Sequence, residues 1–293
     1  MSRAPARKAN APVSASIPEL WSPEDKASVE VLRRAVEDDD LLSALLAIEG
    51  ASPVLGLEVA TTIARLSTRV LSNLPEVDEV DDLDAERLEL LHAVVCGEFG
   101  LRGAEDDYFA AANSKLSLVL ERRRGQPILV SAVWMLVGRT AGIDVQGVGF
   151  PGHFLIQVEG RLVDAFNDGR ALDDADVRRL AERVMPGRRM ESNWLQVVGT
   201  REIAERVLRN LIHASLRAHD LFGRYRALRM LAGLRPNDPS LQLEVAVLTE
   251  ELGVWGEARE MYRSLAKTFP ESREGQAAEV RRMQMSQRAR VLH

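Results

Sequence analysis

The fold of this chain is decided by residues 121–170, ERRRGQPILVSAVWMLVGRTAGIDVQGVGFPGHFLIQVEGRLVDAFNDGR. Gly125 and Pro127 mark the start of an apolar helix, because proline is favoured at the first helical position. Three short segments of β-type composition follow: DVQGVGF (144–150), HFLIQVEG (153–160) and RLVDAF (161–166). Glu159 and Gly160 are typical of a tight turn between the last two segments. Helices followed by antiparallel strands predict an α+β fold.

Two polar residues of this stretch, His153 and Asp164, lie eleven residues apart on neighbouring predicted strands. A helix N-terminus, then a strand histidine, then a strand aspartate is the order in which cysteine proteases assemble a nucleophile, a base and an orienting residue. The helix start of this chain carries no cysteine. The chain is therefore either an enzyme with another nucleophile or a former enzyme scaffold.

Helices are predicted on the N-terminal side of this stretch. Ser22 and Pro23 are typical of a helix N-cap and first helical residue, and the acidic segment 37–40 predicts a turn to a second helix. Residues 55–75 have the apolar spacing of an amphipathic helix. Asp84 is the expected cap of the next one.

The chain after about residue 200 has a helical pattern throughout. Pro236 and Pro270 are 34 residues apart, which is the tetratricopeptide period. The last repeat matches that pattern at Gly253, Trp255, Ala258, Tyr262 and Pro270. Two repeats are fewer than a free-standing solenoid needs, so we expect this array to pack on the preceding domain.

The bulk composition excludes several function classes. Apolar residues make up 46% and charged residues 28% of the chain, and the net charge of −6 argues against a nucleic-acid partner. Residues 1–20 lack the apolar run of a signal peptide, and no run reaches the roughly 20 residues of a membrane span. We therefore expect a disordered tail over 1–20, no membrane partner and a cytoplasmic protein.

Cysteine and histidine usage gives no support for a metal or another cofactor. The single cysteine, Cys96, excludes an intramolecular disulfide and multi-cysteine zinc sites. The five histidines show no spacing typical of metal ligands. We predict that the chain uses no metal and no cofactor.

Residues 99–170 resemble the SirB-like branch of the transglutaminase-like superfamily. The resemblance is carried by FGLRGAEDDYFAAANSKLSLVLERRRGQPI (99–128), GVGFPGHFLIQVEG (147–160) and DAFNDGR (164–170). It covers roughly residues 20–200 as a domain, and C-terminal tetratricopeptide repeats are also usual in that family. This sequence differs from the family pattern at Ala165, where the family tends to have proline.

The resemblance implies a papain-like α+β core over 21–200, followed by tetratricopeptide-like helices over 201–293. In active relatives a cysteine at the central helix start attacks an acyl carbon, a strand histidine activates it and an aspartate orients the histidine. His153 and Asp164 match the last two roles. The cysteine position falls near Pro127 or Ile128, neither of which is a nucleophile, and the SirB-like branch usually lacks this cysteine too.

The candidate catalytic residues each have a structural alternative. His153 is either a site base held by Asp164 or a structural histidine. Ser131, one turn into the helix, offers a hydroxyl to His153, although a helical serine usually bonds its own i−4 carbonyl. Cys96 lies in an apolar helical stretch, where a buried thiol behaves as a small hydrophobe unless a nearby cation lowers its pKa.

The candidate binding residues are Arg123, Arg124 and Asn167. The run 122–124 is typical of a solvated helix end that pairs with the acidic loop 105–107, and it is also suited to binding a carboxylate ligand. Asn167 belongs to an Asn-Asp-Gly turn signal and is a candidate pocket residue.

Two hypotheses follow from these residues. The favoured one is a non-catalytic protein that binds a peptide or protein partner through its helical repeats, with His153 and Asp164 lining a pocket. The alternative is a hydrolase or acyltransferase in which His153 and Asp164 serve a displaced nucleophile, Ser131 or Cys96.

Overall fold

The computed structural model describes residues 20–74 and 82–291. The predicted disordered tail lies outside the described residues except for Leu20, which packs half-buried against the core. Pro75, the last residue of the predicted third helix, also lies outside them. None of the helices in the described ranges has the length and apolar character needed to cross a membrane.

The described ranges contain twelve α-helices and seven short strands. The helices are α1 (Pro23–Glu37), α2 (Leu41–Glu49), α3 (Pro53–Leu71), α4 (Leu83–His92), α5 (Leu116–Arg122), α6 (Pro127–Thr140), α7 (Asp174–Val184), α8 (Thr200–Arg217), α9 (Leu221–Leu234), α10 (Pro239–Glu251), α11 (Trp255–Thr268) and α12 (Arg273–Val291). The strands are β1 (Arg102–Gly103), β2 (Arg124–Gly125), β3 (Val145–Val148), β4 (Leu155–Val158), β5 (Arg161–Asp164), β6 (Arg170–Ala171) and β7 (Val197–Val198). A mostly helical chain with a small antiparallel sheet agrees with the predicted α+β class.

The central sheet has the strand order β6-β5-β4-β3-β7, with every neighbouring pair antiparallel. The predicted turn between β4 and β5 is confirmed, because Glu159 and Gly160 both have positive φ, as a two-residue hairpin of this kind requires. Ile156 pairs with Val163 across this hairpin. The hairpin therefore fixes how the start of β4 and the end of β5 face each other.

Helix α6 forms the centre of the core and is buried on nearly its whole circumference. It contacts the sheet through β3 and β4 and contacts α3 on another side. A Cβ atom on Gly138 would lie 2.5 Å from Cγ2 of Val145, so glycine is needed for this close approach. The hydroxyl of Ser67 donates to the carbonyl of Val137 at 3.1 Å and ties α3 to α6.

Three predicted boundaries are wrong by a few residues. Helix α3 begins at Pro53, where Ser52 accepts from the backbone as N-cap, and it ends at Leu71. Helix α4 is capped by Asp82 rather than Asp84, because the carboxylate of Asp82 accepts from the N–H of Ala85. Strand β4 begins two residues after His153. Such errors are expected where several residues offer equivalent caps or similar propensities.

The C-terminal helices α8 to α12 pack as successive neighbours, and α8 also packs against α1, α2 and α6. Trp21 meets Tyr225 edge-on at 6.1 Å between ring centroids, which joins the first helical region to α9. Ala258 and Tyr262 are buried in a separate cluster among α10, α11 and α12. The helical segment therefore packs on the preceding residues, as we expected.

A long-range cap joins the turn after α1 to the start of α8. The carboxylate of Asp39 accepts from the N–H of Thr200 at 2.9 Å, and Asp39 itself has a left-handed φ of 54°. This hydrogen bond holds the pKa of the Asp39 carboxyl below its ordinary value. A negative group at a helix N-terminus is also stabilised by the helix dipole.

We expect Asp39→Ala to lower the free energy of unfolding by about 1–2 kcal/mol, because it removes a helix cap and places alanine in the left-handed region. Asp39→Asn keeps a hydrogen-bond acceptor and tolerates positive φ, so it should lower the free energy of unfolding by less. Urea denaturation at neutral pH measures both values. Because the folded-state pKa is lowered, the carboxylate contribution is present at neutral pH and disappears as pH falls through that pKa.

The matched control is Asp38→Ala, since Asp38 is an exposed neighbour with an ordinary negative φ. Its substitution should change stability by less than about 0.5 kcal/mol. Equal losses at Asp38 and Asp39 would contradict the long-range cap.

Candidate functional site

His153 is placed by the turn that precedes strand β4. Gly152 has a φ of 67°, which supports the predicted Phe-Pro-Gly turn, and the N–H of His153 donates to the carbonyl of Phe150 at 3.2 Å. Asp164 is the last residue of β5. Since β4 and β5 pair antiparallel, with Ile156 opposite Val163, the turn that leads into β4 and the last residue of β5 lie at the same end of the hairpin.

The imidazole of His153 and the carboxylate of Asp164 form a buried hydrogen bond of 2.9 Å between Nε2 and Oδ1. The same carboxylate accepts from the backbone N–H groups of Phe166 and Asn167, each at 3.2 Å, and from Nδ2 of Asn167 at 2.6 Å. Burial raises the pKa of Asp164, but the hydrogen bonds from His153 and Asn167 outweigh it and hold the pKa below its ordinary value. Asp164 is therefore ionised at neutral pH.

An ionised Asp164 fixes the orientation of the His153 ring. Nε2 carries the proton shared with the carboxylate, so Nδ1 is the nitrogen left for other contacts. Nδ1 has no hydrogen-bond partner within the described ranges, and it is not sealed from solvent. Chemically, this arrangement can accept a proton at Nδ1 or hold a ligand there.

The positions expected for a nucleophile are occupied by groups that do not serve His153. Pro127 and Ile128 form the first turn of α6 and are buried in the core. Cys96 lies in a π-helical turn, Ala93–Glu98, and burial raises the pKa of its thiol to about 11. A thiol with that pKa is almost entirely protonated at neutral pH, so it is a poor nucleophile.

Ser131 is fully buried in α6. Its hydroxyl has no hydrogen-bond partner in the described part of the chain, so it bonds neither the carbonyl of Pro127 nor His153. The predicted bond to the i−4 carbonyl is therefore wrong. The structure places Ser131 in the core and not in a site with His153.

The arginine run does not pair with the acidic loop, so that expectation is wrong for the described residues. Arg122 donates instead to the side-chain oxygen of Asn113 at 3.1 Å. Arg123 adopts a left-handed φ that ends α5, and its guanidinium lies 5.3 Å from the centroid of the Phe99 ring. Arg124 is exposed on β2. Neither Arg123 nor Arg124 joins the hydrogen-bond network of His153, whereas Asn167 does.

Three residues beside His153 were not singled out from the sequence. Arg206 of α8 donates through Nη2 to the carbonyls of Phe150 and His153. The ring of Phe166 packs edge-on against His153 at 5.9 Å, and Tyr108 packs against Phe166 at 6.0 Å. The sequence offers one signal that could have identified Arg206. It is an arginine at an apolar position of an amphipathic helix, because its neighbours in α8 are buried.

The site offers no set of metal ligands. No group of three or more histidine, cysteine, aspartate or glutamate side chains that could hold a metal ion occurs within the described ranges.

We expect Asp164→Asn to lower the free energy of unfolding by about 1–3 kcal/mol, because the amide places a buried donor against a donor of His153 or Asn167. Urea denaturation at pH 7 measures this loss. The carboxylate contribution of the wild type exists above the lowered pKa and is lost as pH falls through it, so the difference between the proteins should narrow in acid.

Asp168→Asn is the matched control. Asp168 is 74% exposed in an ion pair of 3.1 Å with Arg102, and asparagine tolerates its left-handed φ. Its substitution should cost less than about 0.5 kcal/mol. A loss as large as that of Asp164→Asn would contradict the special role of the buried network.

Comparisons with known proteins agree with this architecture. A family model described as the transglutaminase-like superfamily matches residues 58–209, which is more than half of the chain. A UPF0162 protein of Xylella fastidiosa (strain 9a5c) is 32% identical over 253 residues, covering 80% of this chain and 87% of the relative.

Two other similarities cover smaller parts of the chain. A UPF0162 protein of Pseudomonas aeruginosa is 38% identical over 112 residues, covering 36% of this chain and 41% of that protein. Human F-box only protein 21 is 27% identical over 192 residues, covering 60% of this chain and 30% of that longer protein. No solved structure matches the chain. From the family model and the Xylella relative together, the chain belongs to the transglutaminase-like superfamily and groups with the UPF0162 proteins.

Proposed function

We propose that this chain is a non-catalytic transglutaminase-like protein that binds a peptide or protein partner. The observation that carries the proposal is the start of α6. Pro127 and Ile128 stand where active relatives are expected to place a cysteine, and both are buried in the core. His153 therefore faces no thiol there that it could activate.

The pair of His153 and Asp164 supports a binding role as well as it would support catalysis. Four hydrogen bonds hold the Asp164 carboxylate, and the carboxylate in turn orients the imidazole. A fixed ring with an accessible Nδ1 offers a partner one directed hydrogen bond at little cost in side-chain entropy.

The helical segment offers a partner a second binding surface. We infer that the helices α8 to α12 form tetratricopeptide-like repeats, which fits the 34-residue spacing of Pro236 and Pro270 and the burial of Ala258 and Tyr262. Between α10 and α12 lies a cavity of about 420 Å³, lined by Glu250, Ala277, Val280, Arg281, Gln284 and Met285. Its mixture of apolar and charged side chains suits a peptide.

The sequence motifs support a narrower family and a cellular location. We place the chain in the SirB-like branch, as a cytoplasmic protein with no nucleic-acid or membrane partner. The net charge of −6 supports the exclusion of nucleic acid.

The alternative is a hydrolase or acyltransferase with a displaced nucleophile. It is favoured by the geometry of His153 and Asp164, which matches a base and its orienting residue. Against it, Ser131 is sealed in α6, and burial raises the pKa of the Cys96 thiol to about 11. Either candidate would need a large local rearrangement to reach Nδ1 of His153.

The test compares the wild type with His153→Ala for labelling by fluorophosphonate and iodoacetamide probes and for turnover of amide and ester substrates. The proposed function predicts equal labelling and equal background turnover in both proteins. A true general base contributes about 10²–10⁴-fold, so a loss of about 100-fold or more in His153→Ala would establish the hydrolase alternative.

His213→Ala is the control for the loss of a histidine, since His213 is exposed on α8. If labelling falls in both variants, the effect does not belong to the His153 site. If it falls only in His153→Ala, mass spectrometry of the labelled peptide identifies the nucleophile and overturns the non-catalytic proposal.

A further inference from the structure

Arg206 is a charged side chain, largely enclosed by the protein, that has no acidic partner among the described residues. Its Nη2 donates to the backbone carbonyls of Phe150 and His153, and its guanidinium lies 5.5 Å from the centroid of the Phe154 ring. Burial lowers the pKa of the Arg206 guanidinium. Enclosed arginines are normally paired with a carboxylate, so this one has capacity for an anion.

The remaining donors of Arg206 are open to a ligand. Nε and Nη1 make no hydrogen bond within the described ranges, and neither is cut off from solvent. The guanidinium is a rigid fork that suits a planar carboxylate. Its fixed Nη2 contacts hold the fork in place before any ligand arrives.

Two further polar groups, which have no hydrogen-bond partner among the described residues, belong to residues close to Arg206. One is Nδ1 of His153, which makes no hydrogen bond within the described part of the chain, since Nε2 is the atom that bonds Asp164. The hydroxyl of Tyr108 makes no hydrogen bond within the described ranges, and Tyr108 is close enough to Arg206 for the arginine charge to oppose the rise in its pKa that burial causes. The ring of Phe166 lies between them and contacts both His153 and Tyr108.

We propose that Arg206, His153 and Tyr108 form a binding site for the C-terminal carboxylate of a peptide whose last residue is apolar. Arg206 takes the carboxylate, Tyr108 and His153 supply flanking hydrogen bonds, and the Phe166 ring packs against the apolar side chain. This assignment rests on the proposed binding function, because it gives the retained histidine a ligand rather than a substrate.

The charges around the site favour a monoanion over a phosphate group. Asp164 is ionised next to His153, and Glu105, Asp106 and Asp107 are exposed immediately before Tyr108. One guanidinium among these carboxylates matches a single negative charge. A dianionic phosphate would meet stronger repulsion at the same place.

The experiment is a titration of the full chain, labelled with ¹⁵N on histidine, with N-acetyl-L-phenylalanine and with its uncharged amide. The acid should shift the ring resonances of His153 in a saturable manner, and the amide should not. Arg206→Lys keeps the charge but loses the fork, so its affinity for the acid should fall about tenfold. Tyr108→Phe removes only a hydroxyl without a protein partner and should weaken binding about three- to tenfold.

Arg217→Lys is the matched control on the same helix. Arg217 is exposed above the Phe109 ring at 3.9 Å and should leave the affinity unchanged. If Arg206→Lys does not fold, the comparison of acid with amide in the wild type and the Tyr108→Phe result still decide the question.

Three results would overturn the carboxylate site: equal effects of acid and amide, no saturable shift at His153, or inorganic phosphate displacing the acid more strongly than acetate does. None of these results contradicts the proposed non-catalytic function. That function is contradicted only if labelling or substrate turnover depends on His153. Shifts confined to α10 and α12 would likewise reject this site while keeping a peptide ligand on the helical segment.

Discussion

The burial of α6 is the constraint on which the rest of the structure depends. This helix is apolar on nearly its whole circumference, with exposed polar residues at its C-terminal end, Arg139 and Thr140. Exposing its apolar faces to water would cost about 1.5–3 kcal/mol for each large side chain. The surrounding elements are arranged to cover it. It contacts α2, α3, α4, α5, α8, β3 and β4.

The burial of the first turns of α6 also limits its chemistry. In a papain-like arrangement the start of the central helix must present a reactive group to a strand histidine. Here the first turn is filled by Pro127 and Ile128, and the hydroxyl of Ser131 is enclosed without a partner. The packing that stabilises the core therefore leaves neither a cysteine nor an accessible serine in the first turns of α6, while Asp164 still holds the histidine.

Much of the fold could be predicted from the sequence because its signals are local. The Ser22 cap, the Glu159-Gly160 turn and the turn before His153 each depend on a few adjacent residues with restricted backbone angles. The pairing of His153 with Asp164 follows from the same hairpin, since the turn sets the register of both strands. The periodic apolar pattern likewise located the C-terminal helices.

Contacts between distant residues could not be predicted in this way. Asp39 caps a helix that begins 161 residues later, and nothing near Asp39 in the sequence identifies that partner. Arg206 reaches His153 from 53 residues away, in a segment assigned to the helical repeats. The sequence also gives no signal for the π-helical turn at Cys96, since π-helices are rare and the stretch has the apolar pattern of an ordinary helix.

Helix α8 connects the two halves of the molecule both structurally and chemically. It begins on the Asp39 cap, packs against α6, supplies Arg206 to the His153 site and packs on α9. A displacement of α8 would move Arg206 relative to the carbonyls of Phe150 and His153, since both contacts come from a single Nη2. The geometry at His153 is thus set by the packing of the helical segment as well as by the sheet.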